Sequence, residues 1–430
     1  MARTWGRVAA AAVATGLLAT GCTSAPDEAA GTASTKGITD DTIRIGVIGA
    51  DFTALAQVGF APDLGDQEVT FPALADELNE AGGIAGRQIE LRVTLVDGTA
   101  GTEAWQAACL EMTQEFEAFA VIVAPAVPRD VARCTSVTNE TLTISATGYD
   151  EALYEEARGL LFSAGTDTSM TTDRQYRGWA RLMHDEGVLE GRTIGVVTSD
   201  LSPEFVAAAE DALVPELEEL GYDVPVVSVL PCPELDADCD QHEGAVQQMK
   251  DADVDFVFMA AANLAGPAFV QAAGNLQFTP QWAANGNQVT DTVSSFFDSV
   301  KGSWDGAIGT STVFALPDDN TDAATECNAV VADRSGEQYE AGSDAFGFTA
   351  SSCLLLRLLV DGGDAVDGDL DQAAVIEAIE GLGEVELNAG PPGSLSADKH
   401  SAGDYLFLCD YRAAAGECVQ RPGEPIEVED

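Results

Sequence analysis

The chain has 430 residues, enough for two domains that each bury a core. Acidic residues outnumber basic ones 72 to 20, for a formal net charge of −52. Such a surface repels nucleic acid and anionic lipid and excludes both as direct partners. It reads as a solvated, salt-adapted exterior, with an acidic face for cations as the alternative. Lysine is confined to Lys36, Lys250, Lys301 and Lys399.

The N-terminus reads as a processing signal rather than fold. Arg3 and Arg7 flank the start of an apolar run over 8–19, too short to span a bilayer as a stable helix. The run leads into LLATGC (17–22), which resembles a bacterial lipobox, with Ala19 where leucine is usual. Residues 1–21 are therefore expected to be a lipoprotein signal peptide. Cys22 is expected to carry lipid, and 22–41 to form a flexible tether rich in Ser, Thr, Ala and Gly. Such an anchor holds a protein at the outer face of the cell membrane while its domains stay in water. The remaining cysteines are Cys109, Cys134, Cys232, Cys239, Cys327, Cys353, Cys409 and Cys418. An even number in an exported chain implies disulfides. Eight cysteines allow 105 pairings, among which the sequence does not choose. Pairing of neighbours (109–134, 232–239, 327–353, 409–418) is the working expectation. With no CxxC spacing and three histidines, a zinc site is disfavoured.

Along the chain, TIRIGVIGA (42–50) reads as a buried strand leaving through a small-residue loop. A helix over 71–80 stops on Gly82 and Gly83, which tolerate positive φ, and Gly86 lets the chain reverse. Ile89, Leu91, Val93 and Leu95 then alternate as a strand does. Strand, helix, glycine turn and strand make a βαβ unit with a parallel sheet. The alternation continues with a helix over 102–117 and the buried strand FAVIVAP (119–125), then a short helix over 130–138 and a strand over 142–146. Helices are predicted over 172–186, 203–220, 244–251 and 266–276, and strands over 192–199, 224–229, 254–261, 281–284 and 307–314. A long apolar helix over 345–360, a last helix over 371–381 and a hairpin of 405–410 with 418–421 close the chain. No transmembrane segment follows the signal, and no short-period repeat is visible. The fold class is α/β, with mainly parallel sheets flanked by helices.

The order of these elements resembles the opening of the type I periplasmic (solute-)binding proteins, the branched-chain amino acid-binding family. So does the wording of NEAGGIAGRQIELRVTLVDG (79–98) and GDQE (65–68). The resemblance implies two lobes joined by three crossovers, placed near Ala164, near 286–289 and near Leu387. Lobe I would hold 42–163 with 290–386, and lobe II 164–289 with 387–430. It implies capture of a small polar molecule (amino acid, amide or related solute) between the lobes and delivery to an ABC transporter permease. It also implies a monomer without cofactor or metal.

Parallel α/β sheets bind ligands beyond the carboxyl ends of their strands. The loops there supply Asp51, Leu64, Val127, Thr147, Gly148 and Tyr149 from lobe I, and Asp200, Ser202, Asn263, Asn285 and Asn287 from lobe II. The family's amino acid pocket is poorly kept. The serine that holds a ligand carboxylate in relatives matches Pro128, which offers neither hydroxyl nor N–H. The carboxylate that grips an α-ammonium matches Gly286, and two ligand-packing aromatics match Ala262 and Leu64. Thr147 and Tyr149 match family positions without a gap. A branched-chain amino acid is therefore disfavoured, and a neutral, amide-like, hydroxylated or cationic molecule fits the polar set better. No G-x-S-x-G, Walker loop or H-E-x-x-H occurs. His184 and His242 are isolated, and His400, in SADKHSAGD, reads as a solvated loop histidine. The acid runs at 236–240 and 367–371 lack the glycine and closing glutamate of a calcium loop. These features point to a binding protein, not an enzyme. The alternative is a sensory receptor ectodomain of the same fold signalling to a membrane partner. An enzyme built on this scaffold is a further alternative, against which the missing nucleophile–base pair counts.

Overall fold

The computed structural model describes residues 35–53, 63–125, 127–166, 169–200, 203–232, 240–260, 265–285, 301–311, 321–388, 390–414, 417–421 and 425–428. They form two large sheets, each flanked by helices and joined by chain crossings, and one two-stranded pair. The first sheet contains β1 (Thr42–Asp51), β2 (Gln88–Asp97), β3 (Ala120–Val123), β4 (Leu142–Ser145) and β5 (Leu161–Ser163), in the order β2-β1-β3-β4-β5. All its pairings are parallel, with Ile45 opposite both Leu91 and Ala120. Helices cover both faces, so the central strands are apolar on both sides. Ile43, Ile45 and Val47 face one core cluster, while Ile48 and Ala50 face the other.

The glycine turn works as its residues demand. Helix α1 (Gln67–Ala81) is capped by Asp66, whose carboxylate accepts from the Val69 N–H at 3.2 Å. The helix ends at Gly82 and Gly83, both at positive φ. A Cβ on Gly83 would lie 1.9 Å from the Arg87 carbonyl oxygen, so only glycine fits. The predicted start at 71 is four residues late, because the cap and the polar first turn carry no apolar period. Helices α2 (Thr102–Leu110), α3 (Arg129–Arg133) and α4 (Glu151–Ala157) complete this part of lobe I. Strand β5 and helix α4 carry no clear sequence signal, one being three residues long and the other acidic.

Lobe II opens with α5 (Thr172–Asp185), β6 (Ile194–Ser199) and α6 (Pro203–Ala207), which runs through a π-type turn into α7 (Val214–Glu219). It continues with β7 (Val226–Leu230), α8 (His242–Asp251), β8 (Phe256–Met259), α9 (Ala265–Asn275), β9 (Gln281–Asn285), α10 (Lys301–Trp304) and β10 (Ile308–Ser311). Strand β10 pairs in parallel with β9. This corrects the expected second crossover at 286–289 and the assignment of 290–386 to lobe I. Residues 301–311 belong to lobe II, because Trp304, Ala307 and Ile308 fill cores beneath that sheet. Trp304 packs its ring 5.9 Å from that of Trp282.

Helices α11 (Asp322–Ser335), α12 (Asp344–Asp364) and α13 (Gln372–Glu380) return to lobe I and pack on its core. Sequence reading missed α11. Helix α12 is the one described helix long and apolar enough to cross a membrane, but 78% of that stretch is buried, as in a core helix. A short pair, β11 (Glu384–Val385) with β12 (Gly393–Ser394), follows. The chain then enters β13 (Tyr405–Arg412), β14 (Glu417–Gln420) and β15 (Ile426–Glu427). The second sheet runs β14-β13-β10-β9-β8-β6-β7, with β15 beside β13, and β13 is antiparallel to β10. The return boundary at Leu387 also shifts: Leu387, Leu395 and Ala402 still pack in the lobe I core.

Three disulfides fall as neighbour pairing predicts: Cys109–Cys134, Cys327–Cys353 and Cys409–Cys418. Cys232 is also disulfide-bonded, and Cys239 lies outside the described residues. Each described bridge stays within one lobe, and a loop of some 25 residues contributes roughly 3 kcal/mol through the unfolded chain. The expected tether is shorter at its folded end. Lys36 donates to the Thr113 carbonyl, the Arg44 N–H donates to the Gly37 carbonyl at 2.8 Å, and Ile38 packs on the core.

Two electrostatic properties follow. The net charge of −52 makes the folded state repel itself, and salt screens that repulsion. Moving from low salt to about 1 M sodium chloride should raise Tm by about 5 °C, the shift that roughly 2 kcal/mol produces in a lobe of this size. A flat or falling Tm in calorimetry would contradict this. Burial pushes the Tyr149 hydroxyl up to about 12, and those of Tyr154 and Tyr176 higher still. The unfolded chain sheds these protons near the ordinary value of 10.0 while the folded one keeps them. Stability is therefore full below about pH 10 and falls as pH rises towards 12. In an alkaline titration, phenolate absorbance from these three tyrosines should appear together with loss of the circular dichroism signal, not before it.

Candidate functional site

The carboxyl ends of β1, β3 and β4 and of β6, β8 and β9 mark the faces where a ligand would sit. The loop after β4 is the best defined part. The Thr147 N–H donates to the Ser145 Oγ at 3.1 Å, and the Thr147 carbonyl accepts from the Ser163 hydroxyl at 2.7 Å. Thr147 is half-buried, and its own hydroxyl makes no hydrogen bond among the described residues. Gly148 packs so closely on the next segment that a Cβ would lie 2.0 Å from the Met170 carbonyl oxygen. Tyr149 turns inward: it is 4% exposed, and its hydroxyl sits 2.8 Å from the Ser145 Oγ. The loop thus leaves the Thr147 hydroxyl without a hydrogen bond among the described residues and packs Tyr149 inward.

The other predicted residues fall into separate settings. Asp51 ends β1, exposed, with one oxygen accepting from the Thr53 N–H at 2.9 Å. It shares a cavity of about 450 Å³ with Leu64, beside the start of α1. The cavity wall carries Asp63, Asp66, Glu68 and Glu337 and, among the described residues, no basic side chain. Thr147 and Tyr149 are not part of that wall. Val127 is buried among core residues. Asp200 is exposed, and its Oδ1 accepts from the Cys232 N–H at 2.6 Å. Strand β9 ends at Asn285; its side chain, and Ser202, Asn263, Asn287 and Cys22, lie outside the described residues, as do Ala262 and Gly286. Pro128 stands at the start of α3 and supplies no side-chain cap, in keeping with its lack of donors.

Four polar features surround the loop; sequence reading placed Ser145 at its start without a role and missed the other three. Ser145 and Ser163 hold it from either side. Arg129 pairs with Asp150, whose other oxygen caps α4 at the Leu153 N–H, 2.9 Å away. Glu204, on the first turn of α6, is half-buried with no hydrogen bond or ion pair among the described residues. Its negative charge adds to the upward push that burial gives the hydroxyls of both Tyr149 in lobe I and Tyr176 in lobe II. A lone serine or glutamate at the end of a strand or the start of a helix has no periodic signature, which is why spacing did not reveal these residues.

His400 is not the solvated loop residue expected from its polar turn. Its side chain is 11% exposed, its ring lies 4.4 Å from that of Phe162, and its Nε2 is 2.8 Å from Glu380 Oε1. His184 bonds the Tyr222 hydroxyl at 2.8 Å. The run at 367–371 supplies a helix cap, Asp371 accepting from the Ala374 N–H at 2.9 Å. Among the described residues no three His, Cys, Asp or Glu side chains stand where they could hold a metal ion.

Solved structures with this architecture include a solute-binding protein of an ABC transporter from R. palustris in complex with 4-hydroxybenzoate. It shares 15% identity, over 91% of this chain and 98% of that one, with a TM-score of 0.65. A leucine-, isoleucine-, valine-, threonine- and alanine-binding protein from Brucella ovis, in a closed conformation, shares 16% over 91% and 97%, at 0.63. A fatty acid ABC transporter substrate-binding protein from Thermomonospora curvata shares 15% over 92% and 94%, also at 0.63. At such identities the likeness is one of fold. No curated protein matches the sequence. The model of the periplasmic binding protein family matches residues 42–414, nearly the whole folded part. With two α/β lobes, each built on a mainly parallel sheet, the chain belongs to the periplasmic binding protein family, whose members are extracytoplasmic binding proteins rather than enzymes.

Proposed function

We propose that the protein captures a small polar solute between its lobes and hands it to an ABC transporter permease, while Cys22 anchors it by lipid to the outer face of the cell membrane. The Thr147 hydroxyl carries the reading of the ligand. Thr147 is half-buried, its backbone is held at both the N–H and the carbonyl, and its hydroxyl makes no hydrogen bond among the described residues. A ligand group that bonds it satisfies a polar atom already partly removed from water. Glu204 acts on the Tyr149 hydroxyl as a negative charge and has no hydrogen bond or ion pair among the described residues, whereas Arg129 is already paired with Asp150. This balance favours a neutral or cationic hydrogen-bonding solute, such as an amide or amine, over a carboxylate held at Pro128. The related structures are named for ligands as different as 4-hydroxybenzoate and fatty acid, so the shared architecture does not select one.

Capture needs no covalent step, because a solute that binds the closed form better shifts the lobes towards closure. A thermal-shift screen of amides, amines, polyamines, nucleosides and amino acids should single out a neutral or cationic compound. At one hundred times its Kd that compound adds roughly 2.7 kcal/mol of stability. Thr147→Val should weaken its binding about tenfold in calorimetry while moving Tm by no more than about 2 °C. A largest shift from leucine, or undiminished binding by the variant, would count against this ligand. Cys22→Ala should release the protein from the membrane fraction of cells that otherwise retain it, and continued retention would refute the anchor.

A further inference from the structure

Ser163 ends β5 and is fully buried. All its polar groups are engaged, and their partners come from different parts of the molecule. Its N–H donates to the His400 carbonyl at 2.8 Å, and its carbonyl accepts from the Ala402 N–H at 2.8 Å. Both partners lie on the segment that returns from lobe I to lobe II. Its hydroxyl donates to the Thr147 carbonyl at 2.7 Å and accepts from the Tyr154 hydroxyl at 2.6 Å. A serine hydroxyl has one proton, and this one is committed to the loop after β4.

Neighbouring bonds run the same way. The Thr166 hydroxyl donates to the Ala146 carbonyl, and the Thr172 N–H donates to the Tyr149 carbonyl at 3.0 Å. The carbonyls of Ala146, Thr147 and Tyr149 thus all accept from the segment leaving lobe I, and Gly148 touches that segment at Met170. A loop held by its own turn could shift without disturbing anything else. This one pulls on Ser163, and through it on His400 and Ala402. Buried hydrogen bonds of this kind are costly to leave unmade.

We propose that Ser163 is a positioning residue that ties the loop offering Thr147 to the hinge, so that the loop and two of the crossings move as one body. Its role in capture rests on the reading of Thr147 as a ligand contact; the mechanical coupling does not. A solute that draws Thr147 towards lobe II then draws on the crossings directly, which is how contact at one loop biases closure of the lobes.

Amide hydrogen exchange on the whole folded protein, with no solute present, tests the coupling. In Ser163→Ala the backbone bonds to His400 and Ala402 can still form, but the loop loses its donor. The amides of Thr147, residue 163 and Ala402 should then lose protection together and by a similar factor, about tenfold, while those of β1 hold. Tyr154→Phe keeps the Ser163 bond to the loop and should leave the same amides within about threefold of the parent. Faster exchange at Thr147 alone would overturn the proposal, as would no change, a uniform loss across lobe I, or an equal effect from Tyr154→Phe. Because no ligand is used, unchanged binding in Thr147→Val would sink the ligand reading and leave the exchange result standing.

Discussion

The crossings must satisfy their own backbone. A chain that leaves one sheet and enters another passes through the protein with N–H and C=O groups that neither sheet supplies, and leaving them buried and unpaired would be costly. The structure meets this by pairing the crossings with each other. Ser163 bonds His400 and Ala402, and the Asn388 N–H donates to the Gly165 carbonyl at 3.2 Å. Just past the middle crossing, the Thr321 hydroxyl donates to the Leu387 carbonyl at 3.4 Å. The hinge is therefore a small hydrogen-bonded assembly rather than separate strings. The loop after β4 is hydrogen-bonded to the same assembly through Ser163 and Thr166.

Charge acts around this assembly in two regimes. Outside, the excess of acids is dispersed over solvated helices, and ion pairs such as Arg334 with Glu77 and Glu80 tie α11 to α1 at the surface. Exposed pairs of this kind contribute little each. At the hinge the pairs are buried. Arg174 donates to the Gly403 and Val428 carbonyls and pairs with Asp404, which also pairs with Lys399. Breaking one member there would strand a charge away from water, so this cluster fixes where the returning segment meets lobe II.

Much of the fold was legible because parallel strands covered on both faces must be apolar throughout. FAVIVAP and TIRIGVIGA announce themselves, as does the glycine stop at Gly82 and Gly83. What was not legible depends on pairing in space. Nothing in residues 308–311 says which sheet they join; the tryptophans beneath them decide it. Helices α4 and α11 have little apolar contrast, and β5 is too short for a period. Of the candidate site, sequence pattern gives the position of Thr147 in the loop after β4, where parallel sheets place ligands. Its surroundings were not legible. Ser163 and Glu204 gain their roles from neighbours farther along the chain, and the inward turn of Tyr149 comes from burial and a bond to Ser145 that no apolar period announces.

The disulfides have a consequence for how the protein is made. The described bridges join residues separated by 25, 26 and 9 positions, and none encloses another. During export the chain emerges from its N-terminal side, so in each of these pairs the second cysteine is the next to appear after the first. An oxidising catalyst that joins thiols in order of arrival would form them correctly at once. The protein should then mature in cells that have such an oxidant but lack a disulfide isomerase.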